Sequence, residues 1–338
     1  MTERSLRDSP TDSRRPRVLV TRRLPERVEA ALRAQLEVTR SADDVPLSES
    51  ALARSLHEYD AVLPTVTDRF PAHLFAQRDA SPPFRCRLLA NFGVGVNQIA
   101  LEAARGAGIV VTNTPDVLTD DTADLTMLLM LALLRRAGEG ERELRAGRWT
   151  GWRPTHLLGR RLSGKTLGIV GFGRIGRAVA DRARLGFGMP VLAWTRTVPT
   201  DAAARAGVEF VPTLDALLPR VDILSLHCPA TPDTRHLIDA RALAQLRPHA
   251  VLVNAARGDV VDEAALVDAL ERGALAGAAL DVFEREPIVH PGLLHRDDVV
   301  LLPHQGSGTV EAREAMGLRA LENLRAFFAG EPPRDRVV

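Results

Sequence analysis

Three glycines raise the first chemical question. Gly171, Gly173 and Gly176 stand in the order G-x-G-x-x-G inside TLGIVGFGRIGRAVADRARLGFGMPVLAWTR, residues 166–196. An apolar run precedes them and a helix-like segment follows, so the turn carries the chain from a strand into the start of a helix. Gly171 permits the tight turn, Gly173 lets backbone approach a diphosphate, and Gly176 allows close packing of helix on strand. The first-turn amides at Arg174 and Ile175 then face an anion, with the positive end of the helix dipole behind them. The strand before and the helix after turn a weak pattern into a dinucleotide site. The second strand ends at Thr195, followed by Arg196 and Thr197, where an enzyme gripping the ribose hydroxyls of NAD carries an acid. Hydroxyls and a guanidinium instead offer donors to a 2′-phosphate, which favours NADP(H). A solvated Arg196 in an enzyme that uses NAD(H) without the acid is the alternative.

Three further segments each place a charged or titratable side chain just past a strand-like run: VNAARGDVVDE (253–263), ALDVFEREP (279–287) and LLPHQGSGT (301–309). The residues are Arg257, Glu286 and His304. Reduction of a 2-oxo acid needs a cation for the carboxylate and carbonyl, a proton donor for the developing alkoxide, and a carboxylate that keeps the donor charged. A carboxylate beside an imidazole does the last, because it favours the protonated ring. His57, His73, His249, His290 and His295 fall in loops or helix ends and are expected to be solvated surface groups without partners. His227 precedes Cys228 and is expected either to pack or to touch the cofactor channel.

Stepwise alternation of apolar runs and helix-like segments supplies the elements that must position these groups. The runs are 17–21, 60–65, 87–92, 109–113, 166–171, 190–195, 222–227, 250–256, 277–282 and 299–303. Nearly continuous apolar strands separated by helices imply parallel sheets covered on both faces, an α/β architecture. Between residues 113 and 165 lies a strand-free stretch whose apolar helix ends at Arg135 and Arg136; it must be buried in its own domain or against a second subunit. In open sheets of this kind ligands gather at the carboxyl ends of the strands, where all three polar residues fall.

The bulk properties remove other classes. At 338 residues, two compact domains are the default. Lys plus Arg is 44 against 43 Asp plus Glu, which leaves no excess charge for a nucleic acid or an anionic membrane. Cys86 and Cys228 stand in apolar strand-like surroundings with no zinc-type spacing, so reduced thiols, no metal and a cytoplasmic setting are expected. The longest nearly apolar run, 125–134, is about half of what a bilayer requires. Residues 1–15 read as a disordered tail.

These motifs together resemble the D-isomer-specific 2-hydroxyacid dehydrogenases, and among them the glyoxylate/hydroxypyruvate reductases. The likeness runs from about residue 17 to 330 and adds NFGVGVNQI (91–99), TNTPDVLTDDTAD (112–124), GRWTGWRPTHLLGRRLSGK (147–165) and LHCPATPDTRHLI (226–238) to the segments above. The resemblance implies that Arg257 binds the substrate's carboxylate and carbonyl oxygen, and that Glu286 hydrogen-bonds His304, the acid or base. It implies that amides at Val94 and Gly95 receive the carboxylate and that Asp281 lies by the nicotinamide amide. Cys228, Pro229, Thr234, Ala255 and Gly306 would line the cofactor path. Trp149 and Trp152 match a segment that, in a homodimer, reaches the neighbouring active site, which makes Trp152 a substrate-binding residue. Ala100, Asp121 and Gln305 depart from the family pattern, and Gln305 stands where substrate choice could change.

The same resemblance divides the chain. A substrate-binding domain is expected from 16–114 plus 303–338, with a dinucleotide-binding Rossmann domain, 115–302, inserted in it and a cleft between the two. The expected activity is NAD(P)H-dependent reduction of small 2-oxo acids to D-2-hydroxy acids. Phosphoglycerate and phosphite dehydrogenases are the alternatives within the enzyme class, and a dinucleotide-sensing corepressor is the alternative outside it.

Overall fold

The computed structural model describes residues 14–76, 84–197 and 207–338; nearly all of the tail expected at 1–15 lies outside them. The chain divides into two units, Met1–Pro115 with Glu314–Val338, and Asp116–Arg313. The first contains Arg17–Val20 (β1), Glu26–Gln35 (α1), Glu37–Arg40 (β2), Glu49–Glu58 (α2), Ala61–Leu63 (β3), Leu88–Ala90 (β4), Leu101–Gly106 (α3) and Val110–Thr112 (β5). Its five strands are all parallel in the order β2-β1-β3-β4-β5. Apart from Arg17 at the start of β1, the inner strands are short runs of buried Val, Leu and Ala, because a sheet covered on both faces leaves no polar side to alternate with. Ser48 starts α2 by accepting the Ala51 amide.

The second unit opens with the apolar helix Thr119–Leu134 (α4) and Ala137–Arg145 (α5). There follow Leu167–Val170 (β6), Arg174–Phe187 (α6), Val191–Trp194 (β7), Val208–Phe210 (β8), Leu214–Leu217 (α7), Ile223–Leu226 (β9), Ala240–Leu243 (α8) and Val251–Asn254 (β10). Glu263–Glu271 (α9), Ala278–Leu280 (β11), Pro291–Leu294 (α10) and Val299–Leu301 (β12) complete it. The sheet runs β12-β11-β10-β9-β6-β7-β8, again wholly parallel. Strand order therefore reverses between β6 and β9, the switch point where such sheets hold dinucleotides. Met127, Leu129, Met130, Leu133 and Leu134 of α4 join the core on one face of this sheet, so most of its apolar surface is buried within its own unit, while Leu128 stays half exposed.

The last helix, Val310–Phe328 (α11), leaves the second unit and joins the first from Glu314 onward. Gly317 lies so close to α1 that an added Cβ would fall 2.4 Å from Val28 Cγ1. Arg319 then grips Asp335 through two hydrogen bonds of 2.5 and 2.9 Å, and Val337 donates to the Val111 carbonyl beside β5. The crossing between units falls past Pro303 because His304 through Gly306 fold back onto Asp281. Two strands went unread in the sequence: β2 and β8. Both are edge strands, and β2 is mostly exposed, so neither shows the apolar run by which the others are recognised. Among the described residues, no helix is long and apolar enough to cross a membrane.

Candidate active site

β10, β11 and β12 are consecutive neighbours in one parallel sheet, so the loops leaving their carboxyl ends emerge side by side. Arg257 follows β10, Glu286 follows β11 and His304 follows β12. His304 Nδ1 lies 2.8 Å from Glu286 Oε2, and the amide of Phe283 donates to Glu286 Oε1 at 3.1 Å. Burial disfavours the Glu286 carboxylate, but the hydrogen bond and charge of His304, the Phe283 amide and Arg257 outweigh it and hold its pKa below the ordinary range. Glu286 is thus an acceptor, so Nδ1 of His304 must donate to it, and Nε2 is left for chemistry.

His304 adopts a left-handed backbone conformation with φ of 54°, a position that costs free energy unless its surroundings enforce it. The enforcement is visible. Its amide donates to the Asp281 and Leu302 carbonyls at 2.8 and 3.1 Å. The next two amides, Gln305 and Gly306, donate to the two carboxylate oxygens of Asp281 at 2.6 and 2.7 Å. Thr122 of α4 donates to the Gly306 carbonyl at 2.9 Å. Burial raises the Asp281 pKa, and these amides and His304 oppose it. Asp281 is fully buried and acts in this structure as the brace of the histidine turn.

Arg257 is braced from its own loop. Asn254 accepts from the Ala256 amide through Oδ1 and donates to the Arg257 carbonyl through Nδ2, while Arg257 Nη1 donates to the Ala256 carbonyl at 2.6 Å. Burial lowers the guanidinium pKa and the charge of Glu286 raises it again. Gly258 touches the neighbouring loop: an added Cβ would lie 1.9 Å from the Phe283 carbonyl carbon and 2.4 Å from the Glu284 amide. The Arg257 and Glu286 loops are therefore packed backbone against backbone.

At the switch point, Gly171 has φ of 90°, and a Cβ there would fall 2.7 Å from the Cys228 amide. Gly176 sits against the Gly171 carbonyl, at 2.4 Å from an added Cβ, whereas nothing lies within 4 Å of the same position on Gly173. The turn is closed below and open above Gly173, which fits a diphosphate resting on the start of α6. The Gly171 amide donates to the Trp194 carbonyl at 2.8 Å, which places Thr195 beside the turn. Thr195 is half-buried, Arg196 is exposed, and Arg196 Nη1 stands 4.0 Å from Asp233 Oδ2. Arg174 pairs with Asp116. Cys228 is buried at the end of β9, and Thr234 closes the following turn by donating to the Pro229 carbonyl at 2.6 Å. Ala255 is buried past β10.

The profile for the D-isomer specific 2-hydroxyacid dehydrogenase NAD binding domain matches residues 127–306, more than half of the chain and wholly within the second unit. The chain belongs to the D-isomer specific 2-hydroxyacid dehydrogenases. It is similar to the glyoxylate reductase of Thermococcus onnurineus, 44% identical over 327 residues that cover 96% of each protein. Its fold matches the NADPH-dependent glyoxylate/hydroxypyruvate reductase of Sinorhizobium meliloti, solved with NADP and malonate, with a TM-score of 0.82, 38% identity and coverage of 96% of this chain and 97% of that one. It also matches Rhodotorula graminis D-mandelate dehydrogenase, with a TM-score of 0.83, 26% identity and coverage of 96% and 98%.

Elsewhere in this dehydrogenase, Val94 and Gly95 belong to the first unit, in the turn after β4. Asn91 is buried and donates to the carbonyls of Gly93 and Gly95 at 3.0 Å, and Asn113 donates to the Val94 carbonyl at 2.9 Å. With its carbonyls tied back, the turn can present amides to an anion. Trp152 is 82% exposed in the second unit. Several histidines read as solvated are in fact partnered: His73 lies 2.5 Å from Glu49, His249 lies 2.9 Å from Asp222, and His290 caps α10 by accepting the Gly292 amide. Their partners are remote in sequence or set by loop geometry, which spacing cannot reveal. His227 packs against Ser225 at 2.8 Å, and burial pushes its pKa down to about 4, so it stays neutral. Asn254 and Gly258 escaped the sequence reading because their work is to hold loops that meet only in the folded sheet.

Proposed function

We propose that this dehydrogenase reduces small 2-oxo acids of the glyoxylate and hydroxypyruvate type to D-2-hydroxy acids with NADPH. The observation that carries the reading is the assembly of Arg257, Glu286 and His304 after three adjacent strands, in the same parallel sheet as an open dinucleotide turn. The reduced nicotinamide, when bound, supplies the hydride to C2. His304 gives its Nε2 proton to the carbonyl oxygen, and Glu286, bonded to Nδ1, holds the ring in orientation. Arg257 stabilises the negative charge that gathers on that oxygen and holds the carboxylate. The glyoxylate reductases among the relatives support this substrate class.

NADPH is favoured because Thr195, Arg196 and Thr197 replace the expected acid at the end of β7, and the S. meliloti relative holds NADP. Measuring kcat/KM for glyoxylate, hydroxypyruvate, pyruvate and phenylpyruvate with both cofactors tests the whole proposal. Turnover of none of them while NADPH still binds would turn the reading toward a dinucleotide sensor. Arg196→Glu should lower the NADPH to NADH preference by about tenfold or more, from loss of charge-assisted bonds to the 2′-phosphate; an unchanged ratio would point to NAD(H).

We also infer a homodimer working in the cytoplasm. Among the described residues, Leu128, Leu144, Trp149, Trp152 and Leu158 make up half of the large apolar side chains that stand exposed, and all fall between residues 128 and 158. A concentration of that kind in one segment suits a second copy. Sedimentation should give twice the monomer mass, and Trp152→Ala should raise KM for the acid; a monomer with full activity contradicts the inference. Cys86 and Cys228 are free and buried, with burial pushing their pKa values up to about 12 and about 11, as suits unreactive thiols in a reducing compartment.

A further inference from the structure

Glu263 is a buried carboxylate outside the catalytic set, at 6% exposure in the first turn of α9. Helix capping does not account for it, because Asp262 already caps α9 by accepting the Ala265 amide at 3.0 Å. Burial disfavours its ionised form, and the nearby charge of Glu284 adds to the penalty. A group held at such cost has compensating donors. The donor that the structure shows is the backbone amide of Glu284, at 2.6 Å from Oε1. This amide opens the loop that carries Glu286.

The Glu284 amide is also where the other constraints converge. Gly258 lies against the Phe283 carbonyl and the Glu284 amide. The Glu284 side chain reaches His236 at 3.0 Å, and the His236 amide donates to the Asp259 carbonyl at 2.8 Å. Two residues onward, Glu286 spans the Phe283 amide and His304 Nδ1. A shift of residues 283 and 284 therefore moves Glu286 off His304. Glu263 follows Arg257 by six positions and starts the next helix, so it links the loop of the cation to the loop of the carboxylate.

We propose that Glu263 is a positioning residue for proton transfer: by holding the Glu284 amide, where the loop begins, it keeps Glu286 on His304 and in register with Arg257. The inference rests on the reductase reading only for its kinetic arm. Glu263→Ala is expected to lower kcat by about tenfold or more through misplacement of the dyad, with Kd for NADPH unchanged and KM for the acid little affected. Glu263→Gln, whose carboxamide oxygen still accepts, should restore most of the turnover, and Glu263→Asp, charged but too short, should not. If Glu263→Ala does not fold, the Asp and Gln variants decide. A spectroscopic arm is independent of substrate: the low-field proton signal of the His304 Nδ1–H bonded to Glu286 should persist in wild type and Glu263→Gln and be lost or shifted in Glu263→Ala and Glu263→Asp. Wild-type kcat in Glu263→Asp or Glu263→Ala, or an unmoved signal in both, would overturn the proposal. Absence of wild-type turnover with every 2-oxo acid would strike the reductase reading and leave the signal to judge Glu263.

Discussion

His304→Ala should lower kcat for 2-oxo acid reduction by about a thousandfold while Kd for NADPH stays near the wild-type value. The split follows from the geometry. Nδ1 is engaged by Glu286 at 2.8 Å, so the ring offers one free nitrogen, and alanine removes the only proton donor in the assembly. The dinucleotide turn lies at the β6 and β9 switch point, whereas His304 follows β12 at the edge of the sheet, so cofactor contacts along the glycine turn remain. Stopped-flow or steady-state kinetics with reduced cofactor, beside fluorescence titration of NADPH, would measure both quantities. Turnover within a few fold of wild type would refute the role of His304. Loss of NADPH binding along with turnover would show instead that the turn built on Asp281 serves the cofactor as much as the acid.

Gly258→Ala is the second large effect, and it acts without touching a polar group. The new methyl would stand 1.9 Å from the Phe283 carbonyl carbon and 2.0 Å from its oxygen, both backbone atoms that no rotamer change can move aside. The two loops must separate. Stability should fall by about 3 kcal/mol or more, at or beyond the upper end of ordinary overpacking costs. Any enzyme that remains folded should lose kcat/KM by about a hundredfold, because Arg257 and Glu286 are pushed apart together. Urea unfolding and kinetics on the same preparation test this. Gly186→Ala is the control: its added Cβ meets nothing within 4 Å inside α6, and helix propensity favours alanine there by about 1 kcal/mol. If Gly258→Ala behaved like Gly186→Ala, the packed-loop description of the site would be wrong.

Much of this molecule is legible in the sequence. The apolar runs marked ten of the twelve strands described, because a parallel strand buried on both faces must be apolar throughout. β2 and β8 escaped because an edge strand with a wet face has no such requirement. Gly171, Gly173 and Gly176 announced their turn because each spacing answers a local steric need. The contacts of Gly171 with Cys228 and of Gly176 with the Gly171 carbonyl show that need directly. The histidines were less legible: the Glu49 partner of His73 and the Asp222 partner of His249 come from distant parts of the chain.

By itself the sequence determined which groups this protein has and where along each strand they fall: an arginine, a glutamate and a histidine just past apolar runs, and a glycine turn opening a helix. Those are local properties, set by period, turn sterics and side-chain chemistry. Tertiary structure alone decided that β10, β11 and β12 lie next to one another, so that the three loops meet, that Asp281 turns inward to hold residues 304–306, and that Gly258 and Glu263 lock the loop of Glu286. Strand order and close backbone approach are relations between segments far apart in the chain. They are fixed by burial of the whole sheet and by the pairing of every buried polar group, and no window of sequence contains them.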